Sequence, residues 1–273
     1  MRALLRIIKA FAEVVFPSRC LNCRAFMRPD TQPANETLCA TIELTFRQAM
    51  NRFLCPSCLM DFQPARSPLC TRCGAVFEAV EGEDHFCENC IRAPRHFHQA
   101  RAAGIYEGAL RQVIQDFKFH GKIHLARPLG LLMRHAFYGM YAPDSSTVPG
   151  TIVPVPLHAG RLRKRGFNQA FLLADHLIDL NRRHPGPGGF ALKTSRDILM
   201  RCRSTHPQTG LNKERRKSNI SGAFTVNAPE KAFGKHILLI DDVYTTGATV
   251  DECARVLIRA GAARVDVLTL ARA

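Results

Sequence analysis

The stretch that most restricts how this chain can fold runs from Ile237 to Val250 and reads ILLIDDVYTTGATV. Four consecutive apolar residues, Ile237 to Ile240, lead into two adjacent aspartates and then a short loop rich in hydroxyls. An apolar run of this length, closed by turn residues, predicts a strand buried on both faces. Beyond the loop, Val250, Cys253, Ala254, Leu257 and Ile258 repeat on one face of a helical period. Gly261 stands where a helix C-cap glycine belongs. Thr245, Thr246, Gly247, Ala248 and Thr249 are therefore expected in a strand-to-helix turn at a helix N-terminus. Unpaired N–H groups and the helix dipole favour an anion there. The threonine hydroxyls add donors, and Gly247 lets the backbone approach closely. Asp241 and Asp242 are expected at the carboxyl end of the strand, where open α/β sheets bind ligands. A phosphate site beside two carboxylates suggests a phosphorylated, polyhydroxylated ligand accompanied by a divalent metal.

The second constraint is cysteine spacing. Nine of the eleven cysteines fall between Cys20 and Cys90, and eight of them form C-x-x-C pairs: Cys20/Cys23, Cys55/Cys58, Cys70/Cys73 and Cys87/Cys90. Two thiolates on one tight turn grip a tetrahedral zinc from one side, and a second pair closes the site. The chain shows no secretion signal, so reduced thiols and zinc are read in preference to disulfides. Iron–sulfur ligation is a third option. Sequential pairing would put Cys20, Cys23, Cys55 and Cys58 on one metal and Cys70, Cys73, Cys87 and Cys90 on another; a cross-brace would interleave them. Sequential pairing is expected because the second four lie close together. The first site then spans a 31-residue insertion, Arg24 to Leu54, helical from Thr41 to Phe53, with Cys39 a bystander. His85 is a candidate substitute ligand.

Charge is uneven. The net charge is +15, and Arg161 to Lys217 holds 14 Lys/Arg against 4 Asp/Glu. Such a stretch suits a polyanionic partner, whether pyrophosphate, nucleic acid or an acidic surface, or else a solvated basic face. No segment approaches the ~20 apolar residues of a membrane span. At the N-terminus Arg2, Arg6, Lys9 and Glu13 line one face of an otherwise apolar segment. This predicts an amphipathic helix over residues 1–18, docked on the protein's own body, on a partner, or on a membrane surface.

The rest of the chain alternates. Strands are expected near Ala102–Tyr106, Thr151–Pro156, Ile220–Val226 and Arg264–Leu270, and helices over Glu107–Phe119, Leu125–Tyr138 and Gln169–Leu180. Asn181–Gly189 reads as a linker. Alternation implies an α/β fold with a mostly parallel sheet flanked by helices. A boundary near Ile91–His98 separates a cysteine module, residues 19–98, from this sheet domain, residues 99–273.

DDVYTTGAT resembles the phosphoribosyl-pyrophosphate (PRPP) motif of type I phosphoribosyltransferases. With PVPLHAGRLRKRGFNQ and THPQTGLNKERRKSNISGAF in this order behind the cysteine module, residues 17–273 resemble the ComF/GntX family. The resemblance implies a double zinc ribbon fused to a type I phosphoribosyltransferase domain, and a link to natural competence, the import of single-stranded DNA. It implies that Asp241 and Asp242 hold ribose hydroxyls and that Thr245–Thr249 hold the 5′-phosphate of PRPP, with Mg²⁺. Arg161 and Arg165 are then expected to neutralise pyrophosphate. Lys213, Arg215 and Arg216 would close as a lid, and His158 and His206 are candidate proton donors. Two functions follow: phosphoribosyl transfer to a nitrogen acceptor, or a non-catalytic protein of the same fold that grips single-stranded DNA and stacks its bases on Phe117, Phe119 or Phe167. Either would act in the cytoplasm, and the zinc module or N-terminal helix would be the surface for competence-machinery proteins.

Overall fold

A computed structural model describes residues 18–27, 39–78, 81–141, 148–186, 190–204 and 219–273. The amphipathic helix expected at the N-terminus, the lid residues Lys213, Arg215 and Arg216, and His206 lie outside them.

The centre of the molecule is a five-stranded parallel sheet. Its strands are β1 (Gln99–Ile105), β2 (Thr151–Pro154), β3 (Lys193–Thr194), β6 (His236–Tyr244) and β7 (Arg264–Arg272), in the order β1-β7-β6-β2-β3. The apolar run places β6 in the middle, with Leu238 opposite Asp266 on one side and Ile152 on the other. Its side chains alternate between two cores. Leu238 and Ile240 pack beneath α5 (Ala126–Met140) and α7 (Gln169–Arg183), whereas Ile237 and Leu239 share the opposite core with α9 (Ala248–Arg259). Pro154 is tolerated in β2 because two-residue β3 pairs only with Thr151 and Ile152, so no ladder reaches the proline on that side.

Three segments depart from the sequence reading. The basic run after Pro156 forms its own short helix, α6 (Ala159–Arg165), before α7 begins. It is closed by Gly166 in the left-handed region. The strand expected at Ile220–Val226 shortens to β5 (Phe224–Val226) and leaves the main sheet, pairing antiparallel with β4 (Leu199–Arg201). The expected linker at Asn181 is instead the last turn of α7, which runs to Arg183 because Asn181 is buried and held by Tyr138 and the Phe190 carbonyl.

The cysteine segment is an internal duplication. Around Cys20 and around Cys70 the chain makes the same hairpin turn: Arg19 bridges Phe26, and Leu69 bridges Val76. Each turn ends in a left-handed residue, Arg24 (φ 64°) or Gly74 (φ 65°). In each half the second pair begins a short helix, α2 (Pro56–Met60) after Cys55 and α3 (Glu88–Arg92) after Cys87. The chain between the halves then runs along β1. Gln63 and Ala103 carbonyls accept from Ile105 and Ala65, and Pro64 bridges Gly104. The sheet edge is thereby paired rather than left open. Gly74 meets this edge so closely that a Cβ there would lie 2.6 Å from the Ala100 carbonyl oxygen.

At the amino end of the sheet, Asp266 is fully buried. It accepts from Tyr141 Oη at 2.7 Å, from Arg264 Nη2 at 3.1 Å, and pairs with His236 Nε2 at 2.9 Å. Burial alone would raise its carboxyl, but His236, Arg264 and Tyr141 outweigh it and hold the group at about 2. A folded value below the unfolded one means stability that is present above about pH 4 and lost as pH falls toward 2. The carboxylate should thus supply about 2–3 kcal/mol at neutral pH. Asp266→Asn should lower the urea midpoint at pH 7 and flatten the acid limb of stability between pH 4 and pH 2, read by urea melts across pH.

Candidate functional site

A cleft of about 660 Å³ opens at the carboxyl end of the sheet. Asp241 and Asp242 enter it from the last turn-ward residues of β6, and Thr245–Thr249 form its floor before α9. The sequence placed all of these together, and the structure brings them to one wall. Gly247 is the N-cap of α9 with φ 76°, a left-handed conformation that suits glycine. A Cβ there would also lie 2.1 Å from the Tyr244 hydroxyl. Ala248 N donates to Thr246 Oγ1 at 3.4 Å, and Asp251 N donates to the Gly247 carbonyl at 2.9 Å.

The two aspartates differ. Asp242 is buried, and its Oδ2 lies 2.8 Å from Lys118 Nζ. The contact is an ion pair without hydrogen-bond alignment, since the same oxygen has no partner at hydrogen-bonding angles. Lys118 stands near the end of α4 (Gly108–Phe119) and is itself largely buried. Burial works against its charge, but Asp242 and then Asp241 outweigh burial and hold the ammonium above its ordinary range. Asp241 is half-buried and faces the cleft. Burial, and next the charge of Asp242, push its carboxyl up to about 7. A carboxylate in that position is stabilised by any cation or hydroxyl donor that enters.

Sequence reasoning did not find Lys118, because an isolated lysine on an amphipathic helix reads as a solvent residue. Three more cleft residues have no local signal: Tyr106 after β1, Arg111 on α4 and Arg201 on β4. Arg161 lines the opposite wall, as expected. Arg165 stands just behind it, bonded to Gln169 Oε1 at 2.6 Å and 5.3 Å above the Phe119 ring. Of the three phenylalanines considered for stacking, Phe117 and Phe167 pack on each other in the core, and only Phe119, 67% exposed, reaches the cleft. His158 serves as the N-cap of α6, accepting from Gly160 N at 3.2 Å.

The eight cysteines gather in two groups, Cys20/Cys23/Cys55/Cys58 and Cys70/Cys73/Cys87/Cys90, with the sulfurs of each group within 4.8 Å of one another. The pairing is sequential. Sulfurs around a tetrahedral zinc, at about 2.3 Å from the metal, are about 3.8 Å apart. Cys23 and Cys55 are 3.6 Å apart and Cys73 and Cys87 3.7 Å, so both groups fit a divalent metal of that size. Cys20 accepts from Cys55 N, and Cys70 from Cys73 N and Cys87 N, at 3.3–3.4 Å. Burial would raise both thiols, yet these backbone donors bring each down to about 6, which favours the thiolate that binds metal. His85 is not a ligand: it stacks on Phe77. Cys39 bonds Gln48.

A parallel sheet with an acidic pair and a hydroxyl-rich turn at its carboxyl end defines a phosphoribosyltransferase-type domain, and the sequence model of the phosphoribosyl transferase domain family matches residues 189–273. The chain is 31% identical over 223 residues to Competence protein ComFC of Bacillus subtilis, covering 80% of this chain and 84% of that protein. It is 31% identical over 205 residues to DNA utilization protein YhgH of Escherichia coli K12, covering 75% and 84%. It is 29% identical over 221 residues to Competence protein F of Haemophilus influenzae, covering 81% and 90%. The chain belongs to the ComF family.

Lys118→Met would leave the acidic pair without its internal cation. Stability should fall by about 3 kcal/mol at pH 8, the cost of an unpaired buried charge. The deficit should shrink as pH falls from 8 toward about 7, because without Lys118 the Asp241 carboxyl takes up its proton at a higher pH than in wild type, and it should level off below that. Urea melts of the two proteins from pH 8 to pH 5.5 measure this.

Proposed function

We propose that this chain binds PRPP in the cleft and transfers its phosphoribosyl group to a nitrogen acceptor in the service of DNA uptake. The observation that carries the reading is the convergence of Asp241, Asp242 and Thr245–Thr249 on one cleft whose other walls bear Arg111, Lys118, Arg161 and Arg201. In this reading the Thr245–Thr249 N–H groups and hydroxyls hold the 5′-phosphate. Asp241 and Asp242 hold the ribose hydroxyls. The half-buried carboxyl of Asp241, raised toward neutrality, fits a site completed by Mg²⁺, an oxygen-seeking ion that accompanies pyrophosphate and neutralises it when bound. As the nitrogen attacks C1 of the ribose, the C1–O bond to pyrophosphate breaks. Positive charge then builds on the sugar ring beside the carboxylates, and negative charge on the leaving group. In this reading Arg161, with Arg165 behind it, would meet that negative charge, and Lys213 and Arg215 would cover it and exclude water.

Residues 19–98 are read as a zinc module that stabilises the edge of the transferase domain at 99–273. Elemental analysis of the purified protein should give two zinc ions per chain. Cys23→Ser should remove one of them, leaving the other bound. The cytoplasm is the proposed site of action. The names of the relatives, which refer to competence and DNA utilization, support a place beside the DNA-import machinery, with the zinc module or the N-terminal segment as the contact. No helix among the described residues is long and apolar enough to cross a membrane.

The test is to incubate the protein with PRPP, Mg²⁺ and a panel of bases and follow pyrophosphate release, with Asp242→Ala as control. Asp241→Asn should abolish PRPP binding by calorimetry, and unchanged binding refutes the site. A second reading is favoured by one observation: Phe119 is an exposed ring with the Arg165 guanidinium above it. Such a platform suits a base of single-stranded DNA in a non-catalytic protein. Filter binding across salt decides this, since affinity resting on phosphates must fall steeply with ionic strength.

A further inference from the structure

The two cysteine groups are not equivalent in what they touch. Cys20 and Cys58 belong to the core beneath α5 and α7. Cys70, Cys73 and Cys90 belong to the other core, the one that contains Tyr244, Ala248 and Val250 at the threonine loop. Within that core a side-chain path joins the second group to the loop. Arg272, at the end of β7, donates from Nη1 to the Cys73 carbonyl at 2.6 Å and from Nη2 to Cys73 Sγ at 3.4 Å. Its guanidinium carbon lies 4.4 Å from the centre of the Tyr244 ring. Tyr244 is 3% exposed, and its hydroxyl is buried without a hydrogen-bond partner among the described residues. That hydroxyl sits directly under Gly247, where a Cβ would meet it at 2.1 Å.

We propose that Arg272 is a positioning residue that ties the threonine loop to the second cysteine group, so that the integrity of that group sets the affinity of the loop for a sugar phosphate. The inference rests on the reading of Thr245–Thr249 as a phosphate cradle. The physics is that of a rigid support. The loop rests on the ring beneath it, since the Tyr244 hydroxyl fills the space under Gly247. Beneath it is a ring clamped between a guanidinium and the edge of Phe97, whose centre is 6.2 Å away. The guanidinium is in turn held by a cysteine of a four-sulfur cage. A divalent metal in that cage would give it a net charge of about −2 and draw Arg272 toward Cys73. Loss of the cage, or of the fork that reads it, frees Arg272 and unseats the ring. A small misplacement of aligned donors is enough to cost affinity at a phosphate. The first cysteine group lies in the opposite core and supplies a matched control.

The experiment titrates ribose 5-phosphate into the full-length protein by calorimetry and follows hydrogen exchange of the peptide spanning residues 244–250. Arg272→Gln should weaken ribose 5-phosphate by about tenfold and speed exchange of that peptide while the β6 core keeps its protection. Arg272→Lys, which keeps the cation but not the two-pronged contact, should fall between Gln and wild type. It also guards against a Gln variant that does not fold. Cys73→Ser should reproduce the loss, whereas Cys23→Ser, in the first group, should bind as wild type does. Wild-type affinity in Arg272→Gln, or equal losses in Cys73→Ser and Cys23→Ser, overturns the coupling and leaves the cradle standing. A wild-type protein with no affinity for ribose 5-phosphate overturns the cradle, and the inference with it.

Discussion

The ion pair between Lys118 and Asp242 is the contact around which the cleft is organised. Two adjacent carboxylates at the end of a strand apolar on both faces are costly, because each is withdrawn from water and each repels the other. Lys118 offsets one of them at 2.8 Å. The lysine can do so only if the end of α4 is held in place. Asp116, fully buried on the same helix, does that by binding His120 and Lys122 in the loop that follows, at 2.8 and 2.7 Å. The other carboxylate, Asp241, is relieved only in part, by Lys118 and by the Asp242 N–H at 2.9 Å, so its carboxyl stays well above the usual carboxylate range. The two aspartates thus differ: Asp242 carries an internal cation, and Asp241 is the more exposed of the pair in the cleft.

A second dependence concerns the edge of the sheet. β1 is an edge strand of a parallel sheet with long neighbours, and an unpaired edge of that kind invites association with other chains. The chain between the two cysteine halves pairs with it, and Arg72 adds a carbonyl that accepts from Ala100 at 2.7 Å. The halves themselves have little apolar mass. Each is a tight turn and a helix of five residues, too small to bury a core of its own. In each, four sulfurs lie close enough to share one metal, and the buried cysteines join the cores of the sheet domain. The duplication explains why the left-handed residue recurs at Arg24 and Gly74. Arginine is accepted at the first because that turn is open, while glycine stands at the second, where the backbone of β1 presses against it.

Local chemistry was legible and distant geometry was not. The strand, turn and helix from Ile237 to Arg259 could be read from spacing because burial, turn formation and helix capping all act within a few residues of each other. The cysteine pairs could be grouped for the same reason. By contrast, nothing near Lys118 distinguishes it from Lys122, yet one faces Asp242 and the other Asp116. The split of β4 and β5 from the main sheet has no signature in three-residue strands, and only the tertiary structure lays α9 against β5. Helix α6 was hidden because four basic residues in seven gave it no apolar face to read.

Sequence by itself determined the parallel α/β class, the hydroxyl-rich turn with its two aspartates, and two four-cysteine groups taken in order along the chain. These are properties of short segments, decided by periodicity and by the reach of a turn. Only the tertiary structure decided which aspartate carries an internal cation, which phenylalanine is left exposed beside the cleft, and that Arg272 connects the second cysteine site to Tyr244 under the loop. Each of these joins residues far apart in the chain. Their contact energies come from burial and charge that exist only once the sheet has brought its strand ends together.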